Sequence, residues 1–213
     1  MDGVVTLPMF PLSAVVFPGS LLPLHVFEAR YRQLVEDLDD TSGRFGIVLI
    51  TRGSEVGGGD VRSSIGVEVE VEYLSTGADG RSMLVVRALE RLQVTKWLDE
   101  APYPRAQVRR LPSEDFTGNH ELLKQTMSVV RRTRALLSEV GDTPALCHDI
   151  DESWGPDEAA WQLCSLAPLS LYDAQRLLET SDPEVRLQHL RDACEAISQM
   201  AIALLESGDA TFE

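Results

Sequence analysis

The chain has 213 residues, of which 44% are hydrophobic and 25% charged, and it carries 34 acidic against 19 basic side chains for a net charge of −15. That length allows one large domain or two small ones, with about 70% of the unfolded surface buried and a real core. The acidity argues against a nucleic-acid ligand, because only a local basic stripe would overcome the mean repulsion from phosphates, and the two nearest candidates ("VRRTR" at 130–134, "VRRLP" at 108–112) are short and hold no interleaved aromatics.

Residues 4–27 alternate short apolar runs with prolines at 8, 11, 18 and 23. Proline has no ladder donor, so "VVTLPMF" and "SLLPLHVF" read as edge strands joined by a turn at "FPGS". The same prolines, and the lack of a basic leader, make this run neither a signal peptide nor a membrane span, and a cytoplasmic location is expected. From Phe27 the period changes: Phe27, Tyr31, Leu34, Val35 and Leu38 fall on one helical face, and Gly43 is the expected stop. Phe27 and Tyr31 are therefore expected in the core. Glu28 stands in the order that favours a pair with Arg32, whereas Glu28 and Arg30, two apart, face away from each other on a helix.

"RFGIVLI" reads as a buried strand and "TRGSEVGGGDVRSS" as a polar, glycine-rich loop. "IGVEVEVEYL" alternates cleanly. It predicts a buried face of Ile65, Val67, Val69, Val71 and Tyr73 and a solvated face of Glu68, Glu70 and Glu72. "STGADGRS" is a hairpin loop, and "MLVVRALERLQVTKWL" returns as two strands bent near residues 88–91. "PYPRAQVRRL" is the last strand. A linker at 113–118 is expected to separate a β-rich unit (1–112) from a helical unit (119–213).

In that second unit one long helix ends at Gly141. Pro156 opens another, Ser170 with Asp173 forms a capping box, and Asp182-Pro183 starts the last. The end of the chain, "ALLESGDATFE", is expected to fray. Residues 1–118 hold 12 basic and 17 acidic side chains (−5) and residues 119–213 hold 7 and 17 (−10), so the helical part is the more acidic.

The chemistry-bearing residues are sparse. Cys147, Cys164 and Cys194 make no paired framework, and Cys147-His148 are neighbours that seldom share a metal. The histidines at 25, 120, 148 and 189 are scattered. There is no G-x-S-x-G elbow and no phosphate-cradling G-x-x-x-x-G-K-[ST] loop.

"LPMFPLSAVVFPGSLLPLHVFEARYR" resembles the opening of the Lon protease N-terminal, or substrate-binding, domain family. The motif falls on residues 7–12, 17–19 and 23–31, and the likeness continues through "RFGIVL", "GVEVEVEYL", "DGRSMLVVRALERLQV" and "APLSLYDAQRLLETSDPEVRLQHL". Ala88 departs from the glycine common in the family. The resemblance implies an α+β fold: a PUA-like twisted, partly closed β-domain with a short helix, then a helical bundle. It implies a non-catalytic module, without ATPase or peptidase parts, that binds unfolded or extended polypeptide or a protein partner and needs no cofactor, metal, membrane or nucleic acid. The binding candidates are Glu28, Arg30, Tyr31, Arg52, Gly57, Gly58 and Gly59. An RNA-binding PUA-like protein and a small hydrolase with an unrecognised site stand as alternatives.

Overall fold

In the computed structural model, which describes residues 3–38, 43–53, 59–112, 114, 116, 118–141 and 155–207, the proline-punctuated opening forms two strands, β1 (Val5–Leu12) and β2 (Leu21–Val26). They are followed by helix α1 (Ala29–Glu36) and strands β3 (Arg44–Arg52), β4 (Val61–Thr76), β5 (Ser82–Trp97) and β6 (Arg105–Leu111). These lie in the first of two compact units, Met1–Ser113 and Glu114–Glu213.

The six strands run in the order β2-β5-β4-β3-β1-β6, and β6 returns to pair with β5. Five strands thus close into a barrel, which removes their edges. All pairings are antiparallel except β1 with β3, whose crossover carries β2 and α1. β5 makes closure possible. Its first half (Ser82 to Arg87) pairs with β2 and its second half (Arg91 to Trp97) with β6. The expected break near residues 88–91 is a β-bulge inside one continuous strand, where Val67 pairs with Arg91 but Val69 with Ala88. The extra residue bends β5 away from β2 and toward β6. β2 is left outside the ring, with its second edge unpaired among the described residues.

Leu7, Met9, Val48, Leu92, Ala106 and Val108 fill the barrel. Space there is tight: a Cβ on Gly66 would overlap the Ile47 carbonyl oxygen. β1 is buried on both faces, which is why it reads as an unbroken apolar run. Phe10 packs on its second side, against Tyr31 and Phe45.

β4 corrects the expected alternation. Glu68 is fully buried, and Arg110 from β6 grips it through Nε and Nη2 (2.8 Å for the latter), with Arg44 at 3.7 Å. The carboxylate sits at the bulge, where arginines from β6 and β3 close over it and replace water. Glu72 is exposed, as expected, and Glu70 is partly exposed and paired with Arg44. Tyr73 is 56% exposed instead of buried. A second register shift between Val71 and Tyr73 moves it out of phase with Val67 and Val69. The loop read at 51–64 is also shorter than expected, since Val61 to Ser64 already belong to β4.

The second unit holds α2 (His120–Val140), α3 (Pro156–Leu166), α4 (Leu171–Glu179) and α5 (Pro183–Ser207). Its ends follow the local signals. Asn119 accepts from the Leu122 N–H, Gly141 closes α2 in the left-handed region, and Pro156 opens α3. The Ser170 hydroxyl accepts from the Asp173 N–H, and the Asp182 carboxylate accepts from those of Glu184 and Val185. α5 stays helical to Ser207, beyond the point where fraying was expected. Leu187, Leu190, Cys194 and Ala201 bury one stripe, whereas Leu204 is exposed. Thr133 ties α2 to α5 by donating to the Cys194 carbonyl and meeting the Ser198 hydroxyl at 2.8 Å. Buried Arg186 donates to the carbonyls of Thr180 and Ser181 and lies 3.5 Å from the centre of the Trp161 ring.

Candidate functional site

The "FEARYR" stretch is an anchor with a polar margin. Glu28 is the N-cap of α1 and is extended (φ −69°, ψ 139°), not helical. Its carboxylate therefore swings back to Arg30, 3.2 Å away, and the expected isolation of these two residues does not hold. Tyr31 is 3% exposed, and its ring stacks on Phe10 with centroids 4.2 Å apart. The Arg30 guanidinium lies 4.5 Å from the same ring. Burial pushes the Tyr31 phenol up to about 12. Phe27 precedes the helix and is 57% exposed, so it leaves the stripe to which periodicity assigned it. Arg32 does not join Glu28; its Nη1 lies 2.8 Å from where a Cβ on Gly80 would stand.

Asp60 and Arg62 approach this margin from the start of β4, a grouping that no sequence spacing signalled. Arg62 holds Asp60 through two nitrogens, reaches Glu100, and lies 4.6 Å from the Trp97 ring centre. Hydrogen bonding from Arg62 keeps the Asp60 carboxyl below the usual range, with a smaller contribution from Arg30. Arg52 is exposed at the end of β3, and Gly59 (φ 76°) has nothing within 4 Å of its Cβ position. Gly57, Gly58, Cys147 and His148 lie outside the described residues.

A groove of about 270 Å³ runs between the second half of β1 and β2, lined by residues 10–12, 23–28 and Tyr31. Neither Arg52 nor Gly59 lines it. Beside it, β2, β5 and β4 present an outer face in register. Pro23 opposes Val85, which opposes Tyr73; His25 opposes Met83, which opposes Ser75; Leu21 opposes Arg87. Residues directly opposite in a ladder share a face. Leu21, Tyr73 and Met83 are 53%, 56% and 45% exposed. Ser20 accepts from the Ala88 N–H. The pleat then aims the backbone groups of Leu22, Leu24 and Val26 at β5, and those of Leu21 and His25 at the open edge. Pro23, lacking an N–H, occupies an outward position, as an edge strand requires.

Among the described residues no set of three or more His, Cys, Asp or Glu could hold a metal ion, and no helix is long and apolar enough to cross a membrane. Burial pushes the Cys164 thiol up to about 12 and Cys194 to about 11, far from nucleophilic thiolates.

The model of the ATP-dependent protease La (LON) substrate-binding domain matches residues 6–193. The chain belongs to this family. A Lon N-terminal domain protein from Xanthomonas campestris, solved by crystallography, is 30% identical with a TM-score of 0.65, over 87% of this chain and 96% of that one. The N-terminal domain of the Mycobacterium avium complex Lon protease shares the fold at 19% identity (TM-score 0.60, 90% and 98% covered). Among curated proteins, Lon protease 2 of Myxococcus xanthus is 28% identical over 186 residues and Lon protease of Anaeromyxobacter dehalogenans 26% over 191. These alignments take in 85% and 88% of this chain but 22% of each relative, so the chain spans about a fifth of the length of the curated relatives it matches. The ATPase and peptidase parts of a Lon protease are not matched. The α+β architecture expected from the opening motif is the one observed.

Proposed function

We propose that this chain is a non-catalytic recognition module, acting as an adaptor or substrate-binding factor, which holds extended or unfolded polypeptide on the outer face of β2, β5 and β4. The observation that carries this reading is the apolar strip formed by Leu21, Pro23, Tyr73, Met83 and Val85 across three hydrogen-bonded strands. Single apolar side chains are ordinary on a surface, but an aligned strip beside an unpaired strand edge offers an extended chain both contact area and backbone partners. The family supports polypeptide as the class of partner. The adjoining groove, lined by Glu28 and Tyr31, extends the surface, and Arg30 keeps Glu28 neutralised at its rim.

A 12-residue apolar peptide carrying a photoreactive group tests the reading. Saturable binding with adducts mapped to residues 21–25, 73 and 83–85 is the expected result. Tyr73→Glu with Met83→Glu is expected to weaken binding at least tenfold at unchanged thermal stability. No saturable binding, or adducts confined to the helical unit, would defeat the proposal.

A further inference from the structure

The strip is electrically lopsided. At its Leu21 end the charges pair off: Arg87 with Glu72, and Arg44 with Glu70 at 3.2 Å. The His25 end runs into the β4–β5 turn and a cavity of about 230 Å³ lined by His25, Val26, Phe27, Arg81 and Ser82. Among the described residues the Arg81 side chain has only a loose contact with Asp79 at 3.4 Å, with both side chains largely exposed. Such a pair is weak and readily exchanged. Arg32 reaches the same turn beside Gly80, and its Nε is buried without a hydrogen-bond partner among the described residues. In a chain of net charge −15, this corner holds the Arg81 guanidinium and the His25 imidazole at the cavity and the Arg32 guanidinium at the adjoining turn.

Resting on the recognition reading above, we infer that the corner of Arg81, Arg32 and His25 selects extended apolar segments flanked by a side-chain carboxylate, Asp or Glu. The cavity supplies the apolar wall of Val26 and Phe27 for the stem of the acidic side chain and the Arg81 guanidinium for its head, with Arg32 at the adjoining turn. An internal acidic residue suits the site better than a chain terminus. The cavity shares His25, Val26 and Phe27 with the β1–β2 groove, so a bound chain continues past it.

The experiment titrates the whole protein with three fluorescent peptides of one apolar core: a flanking Glu with an amidated C-terminus, a flanking Gln with an amidated C-terminus, and a flanking Gln with a free C-terminus. The Glu peptide is expected to bind about threefold to fivefold more tightly than its Gln counterpart at low salt, with the advantage fading at high salt. Arg81→Gln, an exposed change, removes the advantage and leaves the amidated Gln peptide's affinity unaltered. Arg32→Gln, checked for unchanged melting, does the same. Equal binding of the two amidated peptides, or an advantage that survives both substitutions, overturns the carboxylate preference alone. A gain confined to the free C-terminus overturns the side-chain assignment. Binding of none of the three peptides removes the recognition surface and this proposal together.

Discussion

Replacing Tyr31 with alanine tests whether the charged, aromatic stretch after β2 is an anchor. The ring is 3% exposed and stacked on Phe10, with Arg30 above it. Removing a buried aromatic side chain costs about 3–5 kcal/mol, of which the ring stack accounts for about 1 kcal/mol. For a unit near 110 residues, each kcal/mol moves the melting point by about 4 °C, so Tyr31→Ala is expected to melt about 12–20 °C lower. Tyr31→Phe keeps the ring and is expected to cost less than about 1 kcal/mol. Circular dichroism melts and urea titrations of the full chain measure both. The phenol adds a pH signature. Its folded pKa, about 12, lies above the ordinary phenol value of 10.0 because burial disfavours the anion. Stability from this group is therefore complete below pH 10 and is lost as pH rises from 10 through 12. Tyr31→Phe flattens that limb. An alanine variant that melts like the parent, or a phenylalanine variant as damaged as alanine, would refute the anchor argument.

Two further outcomes follow from the packing. Gly66→Ala drives a methyl group into the Ile47 carbonyl and is expected to cost about 3 kcal/mol or more, whereas Gly155→Ala, with open space around it, is expected to be near neutral in the same urea titration. Cys164 and Cys194 are buried, with thiols pushed up to about 12 and 11, so a thiol reagent at pH 7.5 is expected to leave both unlabelled until denaturant is added. Peptide mapping that finds either one labelled within minutes under native conditions contradicts their burial.

Much of the fold was legible locally. Prolines marked β2 as an edge strand, but β1, which carries Pro8 and Pro11, is no edge: its first half pairs with β6 and its second with β3. Period-two and helical stripes marked the elements, and Gly141, Pro156, Ser170 and Asp182 stand at helix ends because caps depend on a few adjacent residues. The opening motif also sufficed to identify the family. Of the candidate site, Glu28 and Tyr31 do line the groove, while Arg52 and Gly59 do not. The strip formed by Leu21, Tyr73 and Met83 went unread, because each is an ordinary strand residue until pairing sets them side by side.

What the chain order alone determines about this protein is where strands and helices start and stop, since those rules act over three or four neighbours. Barrel closure decides the rest. It buries Glu68 under Arg110, which comes from 42 residues away, and leaves β2 outside the ring. The extended backbone of Glu28 lets it meet Arg30 and turns Phe27 outward. Register shifts in β4 bring Tyr73 to the surface beside Val85. Which side of a strand meets water depends on what other parts of the chain cover it, and a local pattern carries no record of that.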